Sequence, residues 1–348
     1  MTAILHSKPW VGEAEQNAVV KQMTSGLIAT GEVTEQFCSL LQRAVGTDYS
    51  PLPTVSGTAA IYLVVKALNL GSRDSVIVPS YVCDSVCEAI SLAGTQVVLA
   101  DIETPWKLSA ENVRAVIDQT TKAILVPQLF GAIEDLSTFR EFGCSLINDC
   151  AQSFDAAINN DGQDRGDFII LSFNATKCLT TGEGGSVIAT NEMANAQLNK
   201  AYQKYKAVIG GVSDIASAIG IQQLERYEEA VVQRKSIATL YIKHLTPLGF
   251  KFPQTENRTG WFRVVAILPD SISYEALHKY AASHNVHIRK GVDALNHQRL
   301  GMEDSGFINS VEIFKQTVSL PAHASLTNDE ILRVVQLIKH YVSSVKPK

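Results

Sequence analysis

The sequence has no block of basic residues, no C-x-x-C cysteine pair and no H-x-x-x-H histidine pair. Charged residues make up only 19% of the chain, and the formal net charge of −5 is spread with mixed signs, which argues against a nucleic-acid groove. Eight scattered histidines without ligand spacing give no metal site. The six cysteines (Cys38, Cys83, Cys87, Cys144, Cys150 and Cys178) lie mostly in apolar surroundings. They read as buried free thiols in a reducing compartment, so the expected location is cytoplasmic. No apolar run approaches the roughly 18–20 residues that span a bilayer. Met1–Trp10 lacks the basic-then-apolar pattern of a signal peptide, and none is expected. No internal repeat or low-complexity tract is present.

What the chain does have is length and alternation. At 348 residues, 46% of them hydrophobic, it is long enough for one large core and a smaller appendage. Strands are expected at Val76–Val78, Val97–Ala100, Ala123–Val126, Leu146–Ile147, Phe168–Ser172 and Val187–Ala189, with helices at Glu88–Ala93, Ala110–Ile117 and Leu136–Phe142 between them. This alternation predicts an α/β fold, a mostly parallel sheet sandwiched by helices. A single long helix is expected from Asp214 to His244, ending at the turn Pro247-Leu248-Gly249. The domain boundary is placed there: 1–246 as the large domain, 247–348 as a small α+β domain with a strand at Trp261–Leu268 and helices at Tyr274–Asn285 and Ile331–Val342.

Four short segments carry the chemistry. Ser172-Phe173-Asn174-Ala175-Thr176-Lys177 follows an apolar strand and precedes Gly182-Glu183-Gly184-Gly185. A lysine at a strand end beside a glycine turn is where a pyridoxal-phosphate enzyme keeps its Schiff-base amine, although an isolated lysine there is most simply a surface residue. Ser56-Gly57-Thr58-Ala59-Ala60 opens an apolar helix whose first N–H groups suit a phosphate, or which Ser56 merely caps. Leu146-Ile147-Asn148-Asp149 delivers a carboxylate at a strand end, either to a protonated pyridine nitrogen or to cap the next helix. Ser172, five residues before Lys177, adds a hydroxyl for the same phosphate. In open α/β sheets ligands sit outside the carboxyl ends of the strands, which is where Asp149 and Ser172 belong. Cys178, next to Lys177, is read as a packing residue.

With these motifs in this order, the chain resembles the DegT/DnrJ/StrS-type PLP-dependent sugar aminotransferases, of the aspartate-aminotransferase-like fold. The likeness runs from roughly residue 8 to 340 through Lys8-Pro9, Ser25 to Gly31, Val76 to Tyr81, Val126 to Gly131, Asp149-Cys150-Ala151-Gln152, Gln222 to Arg226 and Leu320 to Thr327. The resemblance implies pyridoxal 5′-phosphate as cofactor, Lys177 as the Schiff-base and proton-shuttling lysine, and Asp149 as partner of the ring nitrogen. It further implies Gln152 against the ring or its 3-hydroxyl, and Gly57, Thr58, Ala59 and Ser172 around the phosphate. The implied activity is ping-pong transamination from an amino donor, glutamate by family analogy, to a keto-sugar, most often nucleotide-linked, in amino-sugar biosynthesis. The implied working unit is a homodimer with no nucleic-acid or membrane partner.

The departures from the family are specific. Cys83 stands where an aromatic usually stacks on the ring, Gln128 where a histidine precedes Leu-Phe-Gly, and Ile209-Gly210-Gly211 where a neighbouring subunit usually supplies Asn-x-Arg to the phosphate site. The rival readings are a PLP-dependent sugar dehydratase, which carries histidine in place of Lys177, and a non-catalytic regulatory protein of the same fold. A third keeps transamination with a non-nucleotide keto-sugar or an aminocyclitol precursor. Substrate choice is expected to depend on Gly26–Gly31 and Arg289–Asn296.

Overall fold

The computed structural model describes residues 2–103, 105–158, 162–253 and 260–345; the remainder of the 247–348 segment lies outside the described residues. The elements in chain order are α1 (Glu13–Ser25), α2 (Glu32–Val45), β1 (Leu52–Thr54), α3 (Gly57–Ala67), β2 (Ser75–Pro79), α4 (Asp84–Leu92) and β3 (Gln96–Ala100). They continue with α5 (Ala110–Arg114), β4 (Thr121–Pro127), β5 (Ser145–Asp149), β6 (Phe168–Ser172), β7 (Gly185–Ala189), α6 (Glu192–Ile209), α7 (Asp214–Glu225) and α8 (Tyr227–Leu245). The C-terminal part holds β8 (Val264–Ile267), α9 (Tyr274–Ser283), α10 (Asn296–Arg299), α11 (Ile308–Gln316), β9 (Thr317–Leu320) and α12 (Asn328–Val345).

Seven strands form one sheet in the order β1-β7-β6-β5-β4-β2-β3. β3, β2, β4, β5 and β6 run parallel, while β7 is antiparallel to both β6 and β1. Both faces of the sheet are covered, and the strand period of two shows why the runs are continuously apolar. Val76 and Val78 of β2, with Phe168 and Ile170 of β6, join the core under α3, α4 and α6. Ile77 of β2 and Ile124 of β4 face the opposite core with Leu136 and Phe139. Ile169 and Leu171 of β6 face Phe37, Leu41 and Phe173.

A second core gathers β8, β9, α9 and α12, with Ile4 from the N-terminus and Ile237, Ala238, Tyr241 and Leu245 from the second half of α8. β8 and β9 pair antiparallel, extended by bridges from Lys251 to Ile267 and from Arg289 to Ser319.

The six expected strands of the large sheet are all present. Several helical expectations need correction. The segment from Asp214 to His244 is two helices broken at Arg226, which has φ −105° and ψ 9°. No glycine or proline marks that break; Arg226 is instead held by Glu15 (3.1 Å) and lies 4.0 Å over the Trp10 ring. Ser137–Phe142 forms 3-10 turns rather than an α-helix, and α5 stops at Arg114. The expected Trp261–Leu268 strand is shorter, Val264–Ile267, and Trp261 stands outside it with φ 39°.

Candidate active site

Three strand ends and one helix start converge on a cavity of about 400 Å³ at the carboxyl rim of the parallel strands. Its walls include Gly57, Thr58, Cys83, Asp149, Gln152, Ser172 and Lys177 from the large sheet side. Phe262, Arg263 and Gly291–Ala294 close it from the C-terminal side. Of the residues expected around the cofactor, Gly57, Thr58, Ala59, Cys83, Asp149, Gln152, Ser172 and Lys177, Ala59 alone does not line it. Its backbone N–H is taken by the Ser56 hydroxyl (3.1 Å), which caps α3.

The helix start is shaped by close packing. A Cβ on Gly57 would stand 3.0 Å from Ser172 Cβ and 3.4 Å from its Oγ, so glycine keeps the first turn of α3 open beside that hydroxyl. Among the described residues, the Thr58 and Ser172 hydroxyls carry no hydrogen bond, and the helix dipole adds partial positive charge at the same point. Gly185, the last glycine of Gly182–Gly185, pairs with Ser172 across β6 and β7. A Cβ there would meet Ser56 C at 2.4 Å and Gly57 N at 2.6 Å, so the glycine lets α3 start directly against β7.

Asp149 closes β5 and is nearly buried. Its Oδ1 accepts from the Ala151 N–H (3.0 Å), so the cap reading also holds locally. Burial raises its pKa above the usual carboxylate value, opposed by that N–H and by the Lys177 charge. Lys177 sits in the β6–β7 connection, its N–H bonded to Asn174 O (2.8 Å) and its Nζ 4.8 Å from the centre of the Phe262 ring. Burial lowers its pKa, opposed by Asp149 and Cys83, which enlarges the neutral, nucleophilic fraction. Gln152 Oε1 accepts from the Phe130 N–H (3.1 Å), leaving its NH₂ end as the available donor.

The departures now have physical readings. Cys83 is exposed and precedes α4, its thiol between Asp84 Oδ1 (3.4 Å) and Ser85 Oγ (3.2 Å); the aromatic near Lys177 is Phe262. Gln128 is fully buried and committed to its own loop, donating to Asn148 Oδ1 (2.8 Å) and accepting from the Glu134 N–H (2.8 Å). Gly210 has φ 60°, and a Cβ there would lie 2.3 Å from Val55 Cγ1; Val55 N–H in turn donates to Ile209 O (3.0 Å). That segment therefore braces the approach to Ser56 within its own chain. Cys178 packs against the Phe37–Phe173 core with its thiol near Gly260 O (3.5 Å).

Sequence reasoning missed Phe262 and Arg263. Both fall before β8 with no motif around them, and they reach the cavity only because β8 packs against the large sheet's rim. Ser80, His297 and Asp304 form a hydroxyl–imidazole–carboxylate line (2.6 and 2.9 Å). Ser80 and His297 are fully buried and do not line the cavity. With Asn296 Nδ2 donating to Val82 O (2.8 Å), this line ties the loop before Cys83 to α10.

A seven-stranded mixed sheet whose rim brings a buried strand-end aspartate, a lysine on the next hairpin and a helix start to one cavity is the arrangement expected of a PLP-dependent aminotransferase. The chain belongs to the DegT/DnrJ/EryC1/StrS aminotransferase family, whose profile matches residues 9–339. It is similar to GDP-perosamine synthase of Vibrio cholerae, 26% identical over 320 residues, covering 84% of this chain and 86% of that one. It is also 25% identical to dTDP-4-dehydro-2,3,6-trideoxy-D-glucose 4-aminotransferase of Saccharopolyspora spinosa, covering 98% of each. In fold it matches the PLP form of Spr1654 from Streptococcus pneumoniae, with a TM-score of 0.90, 22% identity and coverage of 99% and 100%. The aminotransferase TlmJ from Streptoalloteichus hindustanus matches with a TM-score of 0.89, 23% identity and coverage of 98% and 99%. The cofactor is pyridoxal phosphate, and the open helix start, the two unpaired hydroxyls and the buried carboxylate fit it.

Proposed function

We propose that this enzyme moves an amino group from glutamate to a nucleotide-linked keto-sugar, with Lys177 and Asp149 as its catalytic residues. The carrying observation is that a buried carboxylate and a burial-depressed amine share one cavity with the α3 N-terminus. When bound, PLP supplies an electrophilic aldehyde and a ring that stabilises negative charge. Gly57 and Thr58 N–H groups, with the Thr58 and Ser172 hydroxyls, would hold the phosphate, and Gln152 would donate to the ring's polar edge. Asp149 would keep a proton on the ring nitrogen, whose positive charge would in turn favour the ionised carboxylate. Lys177, as a free amine, would take the proton from the donor's Cα and pass it to the cofactor carbon that carried the aldehyde, and would make the reverse transfer toward the acceptor. Phe262 covers the amine and keeps water from it.

The nucleotide link is supported by two relatives above, a GDP-perosamine synthase and a dTDP-4-dehydro-2,3,6-trideoxy-D-glucose 4-aminotransferase. A cytoplasmic homodimer is part of the same reading: the six cysteines are free, and closed two-fold dimers are the commonest soluble assemblies. We also place the division between the two domains at 246/247, with the end of α8 seated on the C-terminal core.

The test is a panel of nucleotide-linked and free keto-sugars with glutamate, following 2-oxoglutarate release, with sedimentation of the holo-protein at micromolar concentration. The expected result is turnover on a nucleotide-linked sugar by a dimer, abolished in Lys177→Ala. Turnover on free sugars alone refutes the nucleotide link. A fully active monomer refutes the shared assembly, and comparable amination by Lys177→Ala refutes the lysine's role.

A further inference from the structure

Nothing described so far receives the negative charge of an incoming amino acid, yet one wall of the cavity carries a cation with an unused donor. Arg263 stands immediately before β8 and lines the cavity opposite the sheet rim. Its Nη1 donates to Gly291 O (2.6 Å) and Lys290 O (3.3 Å), which fixes the head of the side chain against the loop that continues into Val292–Ala294. Its Nε is buried and, among the described residues, has no hydrogen-bond partner. Buried donors are nearly always paired, and this one is left unpaired beside the cavity that Arg263 lines.

The charge is as unmatched as the hydrogen bond. No carboxylate among the described residues lies within ion-pair distance of Arg263. Asp293, the acid on the adjoining loop, is engaged by Arg289 (2.9 Å). Burial and the Arg289 charge pull the Arg263 pKa down, and Asp293 opposes them only in part. The guanidinium carbon lies 5.4 Å from the centre of the Phe262 ring, and Lys177 Nζ lies 4.8 Å from the same centre. Cation and amine thus flank one aromatic, close enough for a single small molecule to touch both. A purely structural tie between β8 and the 290–291 backbone accounts for Nη1 but not for Nε.

We infer that Arg263 anchors a substrate carboxylate beside Lys177, foremost the α-carboxylate of the amino donor. The inference rests on the transaminase reading above. A planar guanidinium suits a carboxylate better than a lysine would, because it presents paired N–H donors. An acid group on the keto-sugar is the same chemistry from a second source, and the experiment separates the two.

The holoenzyme and its Arg263→Gln and Arg263→Lys variants are titrated with L-glutamate and with glutamate α-amide, following the cofactor absorbance without acceptor. Calorimetry with 2-oxoglutarate gives a binding constant that does not depend on turnover. We expect R263Q to weaken glutamate and 2-oxoglutarate about 100-fold, with the saturated rate within a few-fold of wild type. Wild type should prefer glutamate over its α-amide by a similar factor, and R263Q should lose that preference. Unchanged donor binding with an equal rise in KM for an acid-bearing keto-sugar assigns the anchor to the acceptor's carboxylate. No change in either refutes the anchor. If R263Q does not hold the cofactor, R263K decides: a fall in 2-oxoglutarate affinity of about tenfold or more supports the anchor, and unchanged affinity refutes it. A wild-type enzyme that reacts with no amino donor refutes the transaminase reading instead, and is distinguished from failure of the anchor by that control.

Discussion

Gly185→Ala places one methyl carbon between two backbones that cannot both stay where they are. The added Cβ would lie 2.4 Å from Ser56 C, 2.5 Å from Ser56 O and 2.6 Å from Gly57 N. All three are main-chain atoms, so no rotamer change relieves the contact, and ordinary carbon contacts near 3.5 Å require the two segments to part by about 1 Å. β7 is held by ladder pairs to both β6 and β1. The start of α3 is the freer side, and it carries the Gly57 and Thr58 N–H groups. Overpacking of this kind typically costs about 1–3 kcal/mol, and here the upper end applies because the obstruction is backbone. In a chain of this length that corresponds to a Tm lower by about 2–4 °C. Displacing the helix start should weaken the cofactor more than the fold, by about 10- to 100-fold in Kd, since charge-assisted hydrogen bonds to the phosphate depend on alignment. The assay pairs thermal melting of the apo-protein with fluorescence titration of pyridoxal phosphate. A G185A protein with wild-type cofactor affinity and wild-type Tm would refute the steric argument.

Two further outcomes follow from the site and its surroundings. Asp149→Asn should lower turnover by about 10²–10³-fold while the protein still retains cofactor, because the lost charge matters where negative charge develops in the ring; near-normal rates in single-turnover kinetics would leave Asp149 only the capping bond to Ala151. His6 is buried between Ser319 Oγ (2.9 Å) and Ser7 Oγ (2.7 Å), and burial, reinforced by Arg263 and Arg289, lowers its pKa from 6.5 to about 3. The unfolded chain therefore binds the proton first, so this stability is complete above pH 6.5 and is lost as pH falls toward 3. At pH 5 the loss is about 2 kcal/mol, and urea unfolding of His6→Asn should show a correspondingly flatter pH dependence; parallel curves would contradict it.

The parts of the site legible in the sequence are those made by one segment alone. Asp149 and Ser172 end apolar strands, and Ser56-Gly57-Thr58 begins an apolar helix, so each reports its place by local pattern. Gly182–Gly185 was visible as a motif, but its reason, the contact of Gly185 with Ser56 and Gly57, lies across the sheet. Arg263 and Phe262 were illegible because nothing local distinguishes them; only the packing of β8 against the rim brings them to Lys177. The break at Arg226 was hidden for the same reason, since the side chains that meet Arg226 there, Glu15 and Trp10, come from the N-terminal end of the chain. Gln128 announced itself as a departure, and its meaning came from Asn148 and Glu134. α6 escaped notice because few of its residues are buried, Ala194, Leu198, Ala201 and Ile209 among them.

The antiparallel return of β7 has a consequence for the lysine. Each connection between parallel strands carries the chain away from the rim and back to the opposite edge, over α4 and α5 in the first two and over 3-10 turns between β4 and β5. The β6–β7 connection instead leaves and re-enters the rim, and it is zipped by Phe173 N–H to Gly184 O (2.8 Å), Thr181 N–H to Phe173 O (3.0 Å) and a bridge between Asn174 and Gly182. Lys177 is thereby tethered from both sides, and the search its amine makes is limited to the length of its own stem. The orientation needed for proton transfer is settled during folding, before any substrate arrives. Changes in the loops that leave the other strand ends, at Val82–Ser85, Gln128–Leu129 and Ala151–Gln152, can reshape the cavity without moving the nitrogen.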